Sequence, residues 1–113
     1  MNTNGIRVYV AGPYTKPDPV LNTRIAISAG ERLLRMGYVP FIPHLTLLWH
    51  MQHPHEYQDW LDYDNEWVKL CDAVLRLPGE SFGADGEEQL AQGLDIPVYY
   101  SIEELHAAFM EKQ

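Results

Sequence analysis

The sequence predicts an α/β domain, a three-layer sandwich with a four- to five-stranded parallel sheet. Two observations carry that prediction. Short β-rich runs alternate with longer stretches of helical periodicity along the whole chain, which calls for a parallel sheet covered on both faces. The chain is also 113 residues long and 46% apolar, enough for one core but not two, so residues 1–113 read as a single domain.

Each element has its own signal. Ile6-Arg7-Val8-Tyr9-Val10-Ala11 is a β-rich run stopped by Gly12-Pro13. A proline-stiffened loop follows, and then Leu21, Ile25, Ala29, Leu33 and Met36 recur at helical spacing, with Gly37 as the stop. Tyr38-Val39-Pro40-Phe41-Ile42 reads as a second strand, with Pro40 marking its start or a sheet edge. Residues 44–55 are mixed and His-rich, a helical turn followed by a loop. Glu56 to Leu70 reads as a long helix and Ala73 to Leu77 as a strand. Pro78-Gly79-Glu80 turns into a helix opening near Gly83 and ending near Gly93. Ile96 to Tyr100 is a last strand, and Ser101-Ile102-Glu103-Glu104 looks like the capping box of a terminal helix. The arrangement is Rossmann-like (flavodoxin-like), in which ligands bind beyond the carboxyl ends of the strands. The unusual residues concentrate in the three segments expected there, Gly12 to Pro19, Pro43 to His55 and Pro78 to Glu87.

Composition narrows the partners. The formal charge is −8, and Arg7, Lys16, Arg24, Arg32, Arg35, Lys69, Arg76 and Lys112 are scattered singly. Polymeric nucleic acid, whose affinity comes mainly from phosphate neutralisation, is therefore not expected. A single nucleotide remains open, because backbone N–H groups at a helix N-terminus can hold one phosphate. The lone Cys71 excludes an intrachain disulfide and fits a reducing compartment. No basic-then-apolar leader opens the chain, and no apolar run approaches the roughly 20 residues that span a bilayer. A soluble, cytoplasmic protein with no membrane partner is expected.

Two carboxylates fall on apolar helix stripes. Glu87 shares a face with Leu90, Ala91 and Leu94, and Asp64 shares one with Trp60, Trp67, Val68 and Cys71. A charge on a buried stripe must be paired, neutralised or used. The neighbouring Asp59, Asp62 and Glu66 read as a solvated face, Asp85 and Glu88 as complements to a helix dipole, and Asp72 as a backbone anchor. Paired carboxylates suit bond-breaking at a sugar's anomeric carbon, where one attacks or stabilises the cationic centre and the other handles the leaving group's proton.

The remaining candidates line the same three loops. Ser81 and the N–H groups near Gly83 face an anion or hydroxyl in this layout; Ser81 also reads as a plain helix cap. Gly12 lets a ligand approach the backbone, and Tyr9 or Tyr14 can stack on a base, hydrogen-bond a carboxylate, or simply pack. His44 follows Pro43 at a strand's carboxyl end and reads as pocket lining. His50, His53 and His55 complete a cluster that matches no zinc spacing, so neither a metal nor another cofactor is expected.

Tyr9-Val10-Ala11-Gly12-Pro13-Tyr14, Asp64-Asn65-Glu66-Trp67 through Cys71-Asp72-Ala73-Val74, and Ser81-x-Gly83 through Glu87 to Ala91 together resemble the nucleoside 2-deoxyribosyltransferase superfamily. That superfamily includes nucleoside deoxyribosyltransferases and nucleotide N-glycosidases, and the resemblance is greatest to its short bacterial and phage members. It implies cleavage or transfer at the N-glycosidic bond of a nucleoside or nucleoside 5′-monophosphate, with retention, through a glycosyl-Glu87 intermediate. It further implies that Asp64 assists the departing base or activates the incoming nucleophile, and that Tyr9 positions Glu87. Ser81 and Gly83 would bind the 5′ side of the substrate. A homo-oligomer, dimer or higher, is implied as well. The first loop, Pro13-Tyr14-Thr15-Lys16, departs from the Gly- and Arg-rich version of the monophosphate hydrolases. The alternative is a non-catalytic nucleotide-binding or sensing module on the same scaffold.

Overall fold

The computed structural model describes residues 2–111, so Lys112 of the scattered cations lies outside the described residues. Four parallel strands, β1 (Arg7–Ala11), β2 (Val39–Phe41), β3 (Ala73–Arg76) and β4 (Val98–Tyr99), form one sheet in the order β2-β1-β3-β4. Between them run α1 (Pro19–Arg35), α2 (Thr46–Gln52), α3 (Tyr57–Val68) and α4 (Phe82–Gly93), and α5 (Ile102–Glu111) follows β4. This is the expected Rossmann-like sandwich, at four strands. Among the described residues no helix is long and apolar enough to cross a membrane.

Strand alternation divides the interior into two cores. Val8 and Val10 join Ala73 and Leu75 on one face, packed with Ala26 and Leu33 of α1 and Ile102 and Leu105 of α5. Tyr9 and Ala11 join Val74 on the other face, packed with Val68 of α3, Cys71, and Ala84 and Ala91 of α4. Fully burying a leucine such as Leu33, Leu75 or Leu105 contributes about 1.5–3 kcal/mol. Tyr9 is the exception in this apolar strand: it is fully buried, yet its hydroxyl requires a partner.

Local chemistry sets the element ends. Asp18 starts α1 by accepting from the Val20 N–H at 2.9 Å, with Pro19 in the first turn. At its end Gly37 takes φ +99°, while the Tyr38 N–H reaches the Leu33 carbonyl at 3.0 Å and the Gly37 N–H the Leu34 carbonyl at 3.0 Å. That is a Schellman close, which glycine makes possible. Pro40 lies in edge strand β2, where no inner ladder needs its missing N–H. Glu56 and Asp59 form a reciprocal capping box on α3, and the Ser101 Oγ accepts from the Glu104 N–H at 3.1 Å on α5. Asp72 anchors β1 by accepting from the Arg7 N–H at 2.8 Å.

The inward stripe of α1 keeps Ala29 and Leu33 of the expected one and differs at its start. Leu21 and Ile25 are 45% and 49% exposed, and the buried positions are Asn22, Ala26, Ala29, Gly30 and Leu33. Small side chains let the helix lie close over the sheet, and that close approach outranks side-chain hydrophobicity in choosing the face. Leu94, expected on the inner face of α4, is likewise exposed at the helix end.

Both neighbours of β1 follow it in sequence and lie on opposite sides of it. The loops after β1 and β3 therefore part at the carboxyl edge, which is where a crevice opens in such sheets.

Candidate functional site

A cavity of about 520 Å³ occupies that crevice, within the usual range for a small-molecule site. Glu87, Asp64, Gly12, Tyr14, His44, Ser81 and Gly83 all contribute to its wall. Tyr9 does not line the cavity; it lies behind Glu87 in the core and donates its hydroxyl to Glu87 Oε2. Phe41 stacks on Tyr9 at 5.6 Å between ring centroids, and Trp67 stacks on Phe41 at 5.0 Å, so the Tyr9 ring is clamped in place.

Glu87 is 6% exposed on the second turn of α4. Burial pushes its carboxyl up to about 8; the Tyr9 hydrogen bond opposes that rise, the Asp64 charge adds to it, and Arg76 opposes it. Burial also pushes Asp64 up to about 7, and its Oδ1 is buried with no hydrogen-bond partner. Tyr9 is raised well above its ordinary value by burial first and then by the two carboxylates, so it remains a donor. Burial thus holds both carboxyls neutral well above the ordinary carboxylate range.

The adjacent Glu88 has a separate structural role. Its carboxylate accepts from the Tyr100 hydroxyl at 3.0 Å and lies 3.6 Å from the Nε of Arg76. Arg76, buried at the end of β3, also donates to the Leu77 and Gly79 carbonyls and pairs with Asp85 at 2.9 Å. One guanidinium thus fastens the turn after β3 to the first turns of α4, which sets the helix rotation that sends Glu87 inward.

Ser81 caps α4, its Oγ accepting from the Ala84 N–H at 3.1 Å while the residue stays in the cavity wall. The two glycines serve packing. A Cβ at Gly12 would lie 3.0 Å from Leu77 Cβ, and one at Gly83 would lie 2.9 Å from the Tyr57 hydroxyl. Close approach of the loop after β1 to Leu77, and of α3 to α4, leaves little room for a side chain at either. His44 is buried, with Nε2 2.8 Å from the Pro13 carbonyl oxygen and its ring 6.0 Å from that of Tyr14. Its Nδ1 is buried without a partner.

A model of the family described as a domain of unknown function (DUF7768) matches residues 6–101. The chain belongs to the DUF7768 family. No curated protein matches it in sequence. Among solved structures it is similar to a 2-deoxyribosyltransferase from the psychrotolerant bacterium Bacillus psychrosaccharolyticus, described as a biocatalyst for nucleoside synthesis. The two share 19% identity over 81% of this chain and 69% of that one, with a TM-score of 0.55. At that identity the likeness is one of fold.

Several residues of the DUF7768 cavity escaped the sequence reading. Tyr57 and Trp60 of α3 line it, as do His50 and His55. His50 Nδ1 accepts from the Trp60 Nε1–H at 2.8 Å and from the His55 N–H at 3.2 Å, tying α2 and its following loop to α3. His53 is exposed and lies outside the cavity wall. Asn22, buried on α1, donates to the Tyr14 and Lys16 carbonyls at 2.9 Å each and holds the first loop. Among the described residues no group of three or more His, Cys, Asp or Glu converges to hold a metal.

Proposed function

We propose that this DUF7768 protein acts on the N-glycosidic bond of a nucleoside or nucleoside 5′-monophosphate, cleaving it or transferring the sugar to another base with retention. One observation carries the reading: a buried carboxyl, Glu87, is gripped by the Tyr9 hydroxyl beside a cavity whose wall also holds Asp64, a carboxyl with a buried, unpartnered oxygen. The likeness of fold to a 2-deoxyribosyltransferase supports it.

The chemistry follows from the hydrogen bonds. Tyr9 engages Oε2 of Glu87, leaving Oε1 to attack C1′ of the sugar as the C1′–N bond breaks. Asp64, held protonated to about 7, passes its proton to the departing base nitrogen. In the free chain burial keeps Glu87 protonated to a still higher pH, but an electron-poor C1′ at Oε1 favours its carboxylate form. The Tyr9 hydroxyl and Arg76 favour that form too, so Glu87 gives up its proton while Asp64 keeps its own. In the second step the Asp64 carboxylate takes a proton from water or from an incoming base nitrogen, which bonds to C1′ and frees Glu87. Water gives hydrolysis and a base gives transfer.

Incubation with deoxy- and ribonucleosides and their 5′-monophosphates, with and without a second base, tests the reading by chromatography. Released or exchanged base that disappears in Glu87→Ala is the expected result. An intact ligand that binds without any release of base would instead make the chain a sensing module. The proposal includes a cytoplasmic homo-oligomer, dimer or higher, supported by Leu48 and Met51 of α2, which are 68% and 69% exposed. Light scattering that finds only monomer at working concentration would remove that part.

A further inference from the structure

We infer that His50 reads the base: its ring Nε2–H is a donor, fixed in direction by Trp60, that is given to an acceptor atom of the departing base. The inference rests on the glycosidic reading of the site and adds a residue that selects among its substrates.

His50 stands in the last turn of α2, half-buried in the cavity wall. Its Nδ1 accepts from the Trp60 Nε1–H at 2.8 Å and from the His55 N–H at 3.2 Å. A ring nitrogen that accepts carries no proton, so the imidazole N–H is on Nε2. Among the described residues Nε2 has no hydrogen-bond partner, and unlike His44 Nδ1 and Asp64 Oδ1 it is not sealed from solvent. The donor is also held in place. Trp60 packs edge-on against Trp49 and His55, each at 5.2 Å between ring centroids, and against Tyr63 at 6.0 Å, which fixes the direction of its indole N–H. A flipped imidazole would put a carbon where two N–H groups now find Nδ1.

The other polar groups of the wall select less. The hydroxyls of Tyr14, Tyr57 and Ser81 give or accept as they rotate, and a protonated Asp64 or Glu87 does the same. Lys16 only gives, but from an exposed side chain in the first loop. The first N–H groups of α4 only give as well. They belong to the helix that carries Glu87, and so to the sugar's side of the glycosidic bond. Placement on the base side follows from α3. Trp60 lies one turn before Asp64 on the same helix face, and both line the cavity. Asp64 hands its proton to the base, so the base lies along α3, toward the wall that Trp60 and His50 build. A base that meets Nε2–H with an acceptor satisfies it. One that meets it with a donor or a C–H leaves that N–H unpaired where water is excluded, which costs affinity.

Calorimetric titration of the Glu87→Gln protein, which keeps a hydrogen-bonding partner for Tyr9, would find the tightest of the common nucleosides. It would then compare that nucleoside with analogues lacking one base acceptor at a time, the 3-deaza and 7-deaza forms in the case of a purine. One analogue is expected to bind about tenfold more weakly, the scale of one unpaired polar contact. Adding His50→Phe should weaken the parent nucleoside by a like factor and leave that analogue unchanged, so that the two bind equally. His50→Gln, whose side-chain amide still gives an N–H, should restore part of the difference. An undiminished difference in a folded His50→Phe protein, no difference among the analogues, or binding of no nucleoside overturns the inference. If His50→Phe does not fold, Trp60→Phe decides. It keeps a ring but removes the N–H that holds Nδ1, so the difference should narrow, and an undiminished one overturns the inference. Failure of the glycosidic reading is seen separately, as the absence of Glu87-dependent base release by the wild-type protein.

Discussion

Glu87→Gln should make the protein more stable, and only above a definable pH. The folded state holds a proton on Glu87 from its ordinary 4.5 up to about 8, whereas the unfolded chain releases it near 4.5. Across that window the unfolded state binds fewer protons than the folded one, so stability falls as pH rises. At ~1.36 kcal/mol per pH unit, the full cost of ionising Glu87 in place is on the order of 5 kcal/mol. Roughly 3 kcal/mol of that accrues between pH 5 and pH 8. Glutamine cannot ionise and can still accept from Tyr9, so the variant escapes this loss. Urea unfolding at pH 5 and pH 8 reads the difference directly. The two proteins should lie within about 1 kcal/mol at pH 5 and separate by about 3 kcal/mol at pH 8, with the variant more stable. In thermal unfolding the separation corresponds to a midpoint shift on the order of 10 °C. A gap that is the same at both pH values, or a variant less stable at pH 8, would refute the claim that a buried Glu87 stores this cost.

Three further outcomes follow from the geometry. Tyr9→Phe removes the donor that favours the Glu87 carboxylate, so kcat should fall about tenfold to a hundredfold. The acid limb of its pH–rate profile should move to higher pH; an unmoved limb would mean that Tyr9 does not act through Glu87. Glu88→Gln should leave base release within about twofold of wild type, because Glu88 serves Arg76 and Tyr100, and its effect should appear in a urea midpoint lower by roughly 1 kcal/mol in stability. Loss of turnover instead would reassign the doubled Glu87-Glu88. Gly83→Ala places a Cβ 2.9 Å from the Tyr57 hydroxyl and should cost about 1 kcal/mol in urea unfolding. Most of that cost should vanish in a Tyr57→Phe background, and a penalty that persists there would locate the strain elsewhere.

The layered fold was legible because its signals are local. Gly12-Pro13, Gly37 and Pro78-Gly79 punctuate the chain at the element ends, and the alternation of Val8 and Val10 with Tyr9 and Ala11 separates the two cores. Glu87 and Asp64 were visible for the same reason, as charges on otherwise apolar faces. On α1 Ala29 and Leu33 face inward as read, but Leu21 and Ile25 do not, because helix–sheet distance selects the smaller Ala26 and Gly30 over them, and distance is a tertiary quantity. Tyr57, Trp60 and Asn22 face the cavity or brace its loops through contacts whose partners lie up to 26 residues away, as Tyr57 does with Gly83. Arg76 read as one scattered cation; only the folded turn shows it binding Gly79, Asp85 and Glu88 at once. His44 could be placed at a strand end, but only the folded loop shows Nε2 facing the Pro13 carbonyl and Nδ1 left without a partner.

The central claim is that Glu87 becomes covalently bonded to the sugar. Acid quenching during turnover of a 2′-deoxynucleoside, followed by peptide mass spectrometry, tests it most directly. The account predicts a deoxyribosyl adduct on Glu87, absent from Glu87→Gln. An adduct on another residue, or turnover by the Glu87→Gln protein at the wild-type rate, would contradict it.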